Sequence, residues 1–272
     1  MFRRAGVAAA LLMAAGAAYG QAAVQAGDTL RYPYVAALSR NSAGERVYFC
    51  AGALIAPRWI LTAAHCMYNM RGARITAEGL AAEVGARQLK DVPARAQVPV
   101  ARIVVHPDYD SESQDNDIAL VELAQEAGPL IAQVTTTRPA SDPEAATVLG
   151  FGSFYEGRLA ATAVSPTGAP VSQTSDRLRQ AIVRVVDPAA CAAQARISGA
   201  ATGAYQICAG AGPEATCVGD SGSPLIFDGD EGTDRVAGIV SFGSGCSADR
   251  PVTVYTRVSA YAGWIAETIR GR

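Results

Sequence analysis

Apolar residues along this chain fall in short runs broken by Gly, Pro, Asp and Asn. Positions 34–38, 47–49, 53–55, 59–61, 103–105 and 118–123 have the length and the β-branched or aromatic content of strands. In the second half, 147–149, 180–186, 224–227, 235–242 and 253–258 read the same way. Many short strands with frequent turn signals predict an all-β sandwich or a pair of barrels. The tail differs. Tyr261, Ile265 and Ile269 recur at helical spacing beside Trp264, which predicts a helix over 259–269. Two stretches read as connections. Residues 124–143 are poor in large apolar side chains and suit a link between two halves. Residues 154–175, rich in Gly, Ser, Thr and Pro, are long for a loop inside a compact domain and suit either disorder or a cover over a cleft.

The front of the chain carries another pattern. Met1-Phe2-Arg3-Arg4 is a short basic lead, an apolar stretch follows over 5–18, and small residues around 18–23 suit signal peptidase. The stretch is short for a membrane span of ~20 residues, so residues 1–20 read as a secretory leader rather than an anchor. No later segment is long and apolar enough to cross a bilayer. The mature chain is therefore expected outside the cytoplasm, extracellular or periplasmic, and free of the membrane.

Composition narrows the possibilities further. The 272 residues suffice for one substantial core or two smaller ones, and the 50% apolar content is inflated by alanine. A formal net charge of −2 leaves no basic stripe for nucleic acid and no charged tail. Six cysteines form an even set, as an oxidising compartment favours, and spacing alone does not choose among their pairings. With no C-x-x-C pair and a single Cys-adjacent histidine, zinc is not expected, nor is any other cofactor.

Candidate chemistry sits in two runs, Leu61-Thr62-Ala63-Ala64-His65-Cys66 and Cys217-Val218-Gly219-Asp220-Ser221-Gly222-Ser223-Pro224. A serine hydroxyl is a poor nucleophile unless a base takes its proton, and imidazole suits that task near neutral pH. The only histidines, His65 and His106, both precede Ser221. This order excludes hydrolases in which the acid and histidine follow the serine, and Ser223 also breaks their G-x-S-x-G signature. The base needs a third group to hold its tautomer. Asp117, opening the apolar run 118–123, is the candidate, with Asp115 and Asp108 as competitors.

The order His65, Asp117, Ser221 is that of a chymotrypsin-type triad, and the flanking residues agree. Gly52-Ala53-Leu54-Ile55 before Trp59, Ile207-Cys208-Ala209-Gly210, Ser241-Phe242-Gly243 and Tyr255-Thr256-Arg257-Val258 make the chain resemble a secreted trypsin/chymotrypsin-like serine peptidase over roughly 32–269. The resemblance implies two packed six-stranded antiparallel β-barrels with a C-terminal helix. The N-terminal barrel, over 24–137, would carry His65 and Asp117; the C-terminal one, over 138–272, would carry Ser221. It also implies the bridges Cys50–Cys66, Cys191–Cys208 and Cys217–Cys246. The backbone amides of Gly219 and Ser221 would form an oxyanion hole, and His106 would be a structural or surface residue. A monomer acting on polypeptides and blocked by protein inhibitors is the implied biology.

Specificity is implied by the pocket. Ala215 stands where trypsin has an aspartate, so a substrate cation would be left without an ion pair. Thr216 would line the side, Ser241, Phe242 and Gly243 would pair with substrate backbone, and Thr253 would shorten the pocket. Ala, Val, Leu or Met is thus expected ahead of Phe or Tyr at the cleaved position. Four departures stand out. Val24-Gln25-Ala26-Gly27 is a shortened match to the family's activated N-terminus, whose ammonium would pair with Asp220. Ala51 and Ser223 replace usual glycines, Phe151 and Phe242 replace usual tryptophans, and Ala86 takes the place of a calcium ligand, so no calcium site is expected. The N-terminal departure motivates an alternative: a catalytically silent homologue acting as a binding or adhesion protein.

Overall fold

The computed structural model describes residues 25–26, 31–42, 45–89, 96–128, 130–139, 141–152, 177–195, 203–210, 221–228, 234–243 and 252–271. The leader expected over 1–20 and the loop expected over 154–175 fall on residues outside them. After a two-residue strand β1 (Gln25–Ala26) come β2 (Val35–Ser42), β3 (Glu45–Ala56), β4 (Trp59–Thr62), β5 (Leu80–Val84), β6 (Val98–Val105) and β7 (Ala119–Leu123). These last six close an antiparallel barrel in the order β2-β3-β4-β7-β6-β5. A short strand β8 (Gln133–Val134) leads into β9 (Ala145–Gly150), β10 (Arg179–Val186), the helix α1 (Pro188–Ala195), β11 (Gln206–Gly210), β12 (Pro224–Phe227), β13 (Arg235–Gly243) and β14 (Thr253–Arg257). Here the order is β10-β11-β14-β13-β12-β9, and pairing of β9 with β10 closes a second six-stranded ring. A 3-10 turn (Val258–Tyr261) and α2 (Ala262–Ile269) end the chain. Two barrels and a C-terminal helix are as expected.

Alternation builds the second barrel. Along β10, Ala181 and Val183 face its core while Ile182 and Arg184 face outward. Val35, Leu38, Leu54, Ile60, Leu61, Leu120 and Leu123 are buried in the first barrel's core, at about 1.5–3 kcal/mol each for full burial. The same apolar cluster continues through Phe151, Ile226, Ile239 and Ile265, so the first barrel's core packs onto one side of the second, whose own interior is a separate cluster around Val148, Val183, Leu225 and Tyr255.

Tertiary contacts account for the elements missed in the sequence. The runs 47–49 and 53–55 belong to a single strand, because Gly52 between them is no turn. A Cβ there would lie 2.6 Å from Ile60 Cγ2 and from the Leu61 carbonyl oxygen, so glycine lets β3 and β4 approach. Alanine-rich β5 lacks a strand signature; its Glu83 is buried against the Ser39 hydroxyl of adjacent β2 and Arg46 of β3, one strand further on. Helix α1 had a signal that could have been read. Asp187 precedes Pro188, and its Oδ1 accepts the N–H groups of Ala189 (2.9 Å) and Ala190 (3.3 Å), an N-cap followed by a first-position proline.

Candidate active site

Strand pairing brings His65 and Asp117 together. β4 and β7 run antiparallel with Thr62 opposite Ala119, so the chain leaving β4 and the chain entering β7 emerge at one end of the barrel. His65 begins a 3-10 turn (His65–Met67) just after β4, and a Cys50–Cys66 disulfide ties that turn to β3. Asp117 lies just before β7 and is fully buried.

Each oxygen of Asp117 accepts a hydrogen bond. Its Oδ1 accepts the His65 backbone N–H (2.8 Å), and its Oδ2 accepts His65 Nδ1–H (2.7 Å). The Ser241 hydroxyl from β13 also donates to Oδ2, and Thr256 Oγ1 from β14 donates to the Asp117 carbonyl (2.8 Å). An ionised carboxylate only accepts, so the hydrogen sits on Nδ1 and the Nε2 lone pair is free to take a proton. Burial disfavours charge on this ring and is the largest single influence on it, yet the Asp117 charge and hydrogen bond together outweigh it and hold the imidazole above its ordinary value.

Ser221 reaches the same neighbourhood by backbone contacts. Its carbonyl accepts the Ala51 N–H (2.8 Å), next to the cysteine bridged to Cys66. Gly222 follows with φ +79° and donates its N–H to the Val240 carbonyl (3.0 Å). A Cβ at Gly222 would lie 2.3 Å from both the Ala51 oxygen and Thr62 Oγ1. Only glycine fits this turn. Among the described residues no hydrogen bond joins the Ser221 hydroxyl to His65; such contacts are often long before substrate binds.

Of the residues named from the sequence, His65, Asp117 and Ser241 converge, and Ser221 is anchored by its carbonyl to Ala51, next to the Cys50–Cys66 bridge. Gly243 and Thr253 are register partners, with a Gly243 Cβ position 3.4 Å from Thr253 Oγ1, and Thr253 is buried. Phe242 is half-buried beside them, opposite Val254. Ala215, Thr216, Cys217, Gly219, Asp220 and Cys246 lie outside the described residues. The bridges Cys50–Cys66 and Cys191–Cys208 are formed. Cys50, Cys66 and His65 place three potential metal donors together, but the two sulfurs are bonded to each other and so are spent as ligands. His106 stands apart from the site, its ring against Tyr261 (5.2 Å) and Trp264 (5.0 Å). The hydroxyls of Ser241 and Thr256 on Asp117 were not legible in the sequence, since no local pattern links residues so far apart in the chain.

Comparison with known proteins agrees with this geometry. The chain matches the family model for Trypsin over residues 19–265. It is 32% identical over 242 residues to Trypsin Blo t 3 of Blomia tropicalis, covering 86% of this chain and 80% of that protein. It is likewise 32% identical over 250 residues to chymotrypsin-like elastase family member 3B of Homo sapiens, covering 88% and 84%. Coagulation factor XII of Sus scrofa is 34% identical over 254 residues; the match takes in 87% of this chain but only 37% of that longer protein. With two closed barrels, a buried aspartate holding a histidine, and a family match across nearly its whole length, this chain belongs to the trypsin family.

Proposed function

We propose that the chain is a secreted serine endopeptidase that cleaves polypeptides through a Ser221-His65-Asp117 triad and an acyl-enzyme. The observation that carries this reading is the buried Asp117 carboxylate bonded to His65 Nδ1 at 2.7 Å, with the Ser221 segment anchored to Ala51 beside it. Ser221 attacks the scissile carbonyl as His65 Nε2 takes its proton, and the imidazolium then protonates the leaving amine. Asp117 stabilises that imidazolium. The N–H groups of Gly219 and Ser221 receive the oxyanion, a contribution of ~3–4 kcal/mol per donor where one has been removed.

Substrate backbone adds to the Ser241–Gly243 end of β13, beyond Val240, where among the described residues the bonds from Gly222 and Ser223 to this strand end. Ala215, Thr216 and Thr253 make a shortened apolar pocket that takes Ala, Val, Leu or Met before Phe or Tyr. A Cys217–Cys246 bridge closes the pocket loops, Asp220 pairs with the matured N-terminus, and the monomer is a target for protein inhibitors. A fluorophosphonate probe tests the nucleophile: stoichiometric labelling at Ser221, lost in Ser221→Ala and His65→Ala, is expected. No labelling of the folded, oxidised chain would favour the silent homologue. A peptide panel tests the pocket, and a preference for Arg would reject it.

A further inference from the structure

Asp117 sits at the centre of a strained piece of backbone. Among the described residues only two non-glycine positions have positive φ, Gln114 (59°) and Asn116 (55°), and both stand just before it. Left-handed backbone costs an L-residue energy, asparagine among the least. Ile118 N–H donates to the Asn116 carbonyl (2.7 Å), closing a three-residue turn around Asp117. Backbone strain of this kind persists only where surrounding contacts over-determine it.

Those contacts are present on both sides. The Asn116 side chain accepts the Tyr261 hydroxyl at Oδ1 (3.0 Å) and donates from Nδ2 to the Asp108 carbonyl (2.8 Å). A carbonyl can only accept, so the amide has one orientation. Tyr261 is buried, and its ring is held edge-on by His106 and tilted against Tyr205. On the other side of Asp117, the His106 N–H donates to the Ile118 carbonyl (3.1 Å). A residue at the foot of the C-terminal helix thus reaches across to the turn that carries the carboxylate.

We infer that Asn116, gripped by the Tyr261 hydroxyl, is a positioning residue for the triad: it holds the Asp117 turn in place and, through Asp117, the His65 ring. This rests on the peptidase reading above. Asn116 touches neither substrate nor His65; it acts on the aim of the carboxylate. The strain makes sense where the next side chain must be placed to within a fraction of an ångström.

The test compares Asn116→Ala, Asn116→Gly and Tyr261→Phe with the wild type, reading kcat and KM on a cleaved peptide and the titration of His65 by NMR. Asn116→Ala is expected to lower kcat by roughly 10- to 100-fold with KM about unchanged, the signature of misplaced machinery rather than lost binding. The His65 titration should move down toward the ordinary imidazole value as the hold of Asp117 weakens. Asn116→Gly relieves the φ cost but removes both side-chain bonds, so it should show the same loss. Tyr261→Phe keeps the packed ring and should shift both readouts in the same direction by less, with the double variant no worse than Asn116→Ala alone. It also decides the matter if Asn116→Ala does not fold. Variants with lowered melting temperature but wild-type kcat and His65 titration would reduce Asn116 to a structural residue and overturn the inference. If the wild type takes no fluorophosphonate at Ser221, the peptidase reading fails, while the His65 titrations still decide whether Asn116 positions the pair.

Discussion

His65 and Ser241 converge on one atom: the imidazole Nδ1–H from the first barrel and the Ser241 hydroxyl from the second both donate to Asp117 Oδ2. Neither barrel alone completes the shell around that carboxylate. Removing the second donor should cost more in stability than in rate. Ser241→Ala is expected to lower the unfolding free energy by about 1.5–3 kcal/mol, the worth of a buried hydrogen bond to a charged group. His65 N–H and Nδ1–H still hold the carboxylate, so kcat should fall far less than when the charge itself is removed. Urea denaturation and peptide kinetics on the same preparation would check this, and unchanged stability would contradict it.

Asp117→Asn keeps the shape and removes the charge. Its amide N–H₂ can donate to His65 Nδ1, which drives the ring hydrogen to Nε2 and takes away the lone pair that Ser221 needs. A fall in kcat on the order of 10⁴ is expected, the size associated with this tautomer error. Activity within tenfold of wild type would exclude Asp117 as the orienting acid.

The pH dependence has two parts of opposite sign. Asp117 holds the His65 imidazole above its ordinary 6.5 against the effect of burial. Catalysis needs the neutral ring, so kcat/KM should rise with pH through that raised value and show an acid limb above 6.5. Stability runs the other way. The proton bound more tightly in the folded state stabilises it fully below the unfolded pKa, and this contribution is lost as pH rises through the folded one. The difference in unfolding free energy between wild type and His65→Ala should therefore shrink with rising pH across that window. An acid limb at or below 6.5 would show that Asp117 does not govern the ring.

Gly222→Ala tests the seat of the nucleophile. The new methyl would meet the Ala51 carbonyl and Thr62 Oγ1 at 2.3 Å on a residue with φ +79°. Backbone strain and overpacking together put the cost at roughly 3 kcal/mol or more. The turn after Ser221 would have to leave β3, so fluorophosphonate labelling should fall with stability. Labelling at the wild-type rate would mean the segment can find another path.

Much of this protein is legible along the chain because barrel strands announce themselves locally. Alternation in β10, the apolar run of β7 and the helical spacing of Tyr261, Ile265 and Ile269 need no knowledge of the fold. Where local preference is weak the reading fails: β5 is alanine-rich and carries a buried glutamate held by Ser39 of β2 and Arg46 of β3, residues far from it in sequence. The exception is α1, whose Asp187-Pro188 start was a local signal.

The candidate chemistry divides the same way. The order of His65, Asp117 and Ser221, and the residues flanking them, are properties of the linear chain, and they select Asp117 over Asp115 and Asp108 by family likeness. What only the folded molecule decides is how Asp117 is held. The antiparallel register of Thr62 with Ala119 sets it beside His65, and hydroxyls from Ser241, Thr256 and, through Asn116, Tyr261 close around it from the second half of the chain. A buried carboxylate needs every lone pair satisfied, and directional hydrogen bonds between residues more than a hundred positions apart exist only once both barrels have closed and docked.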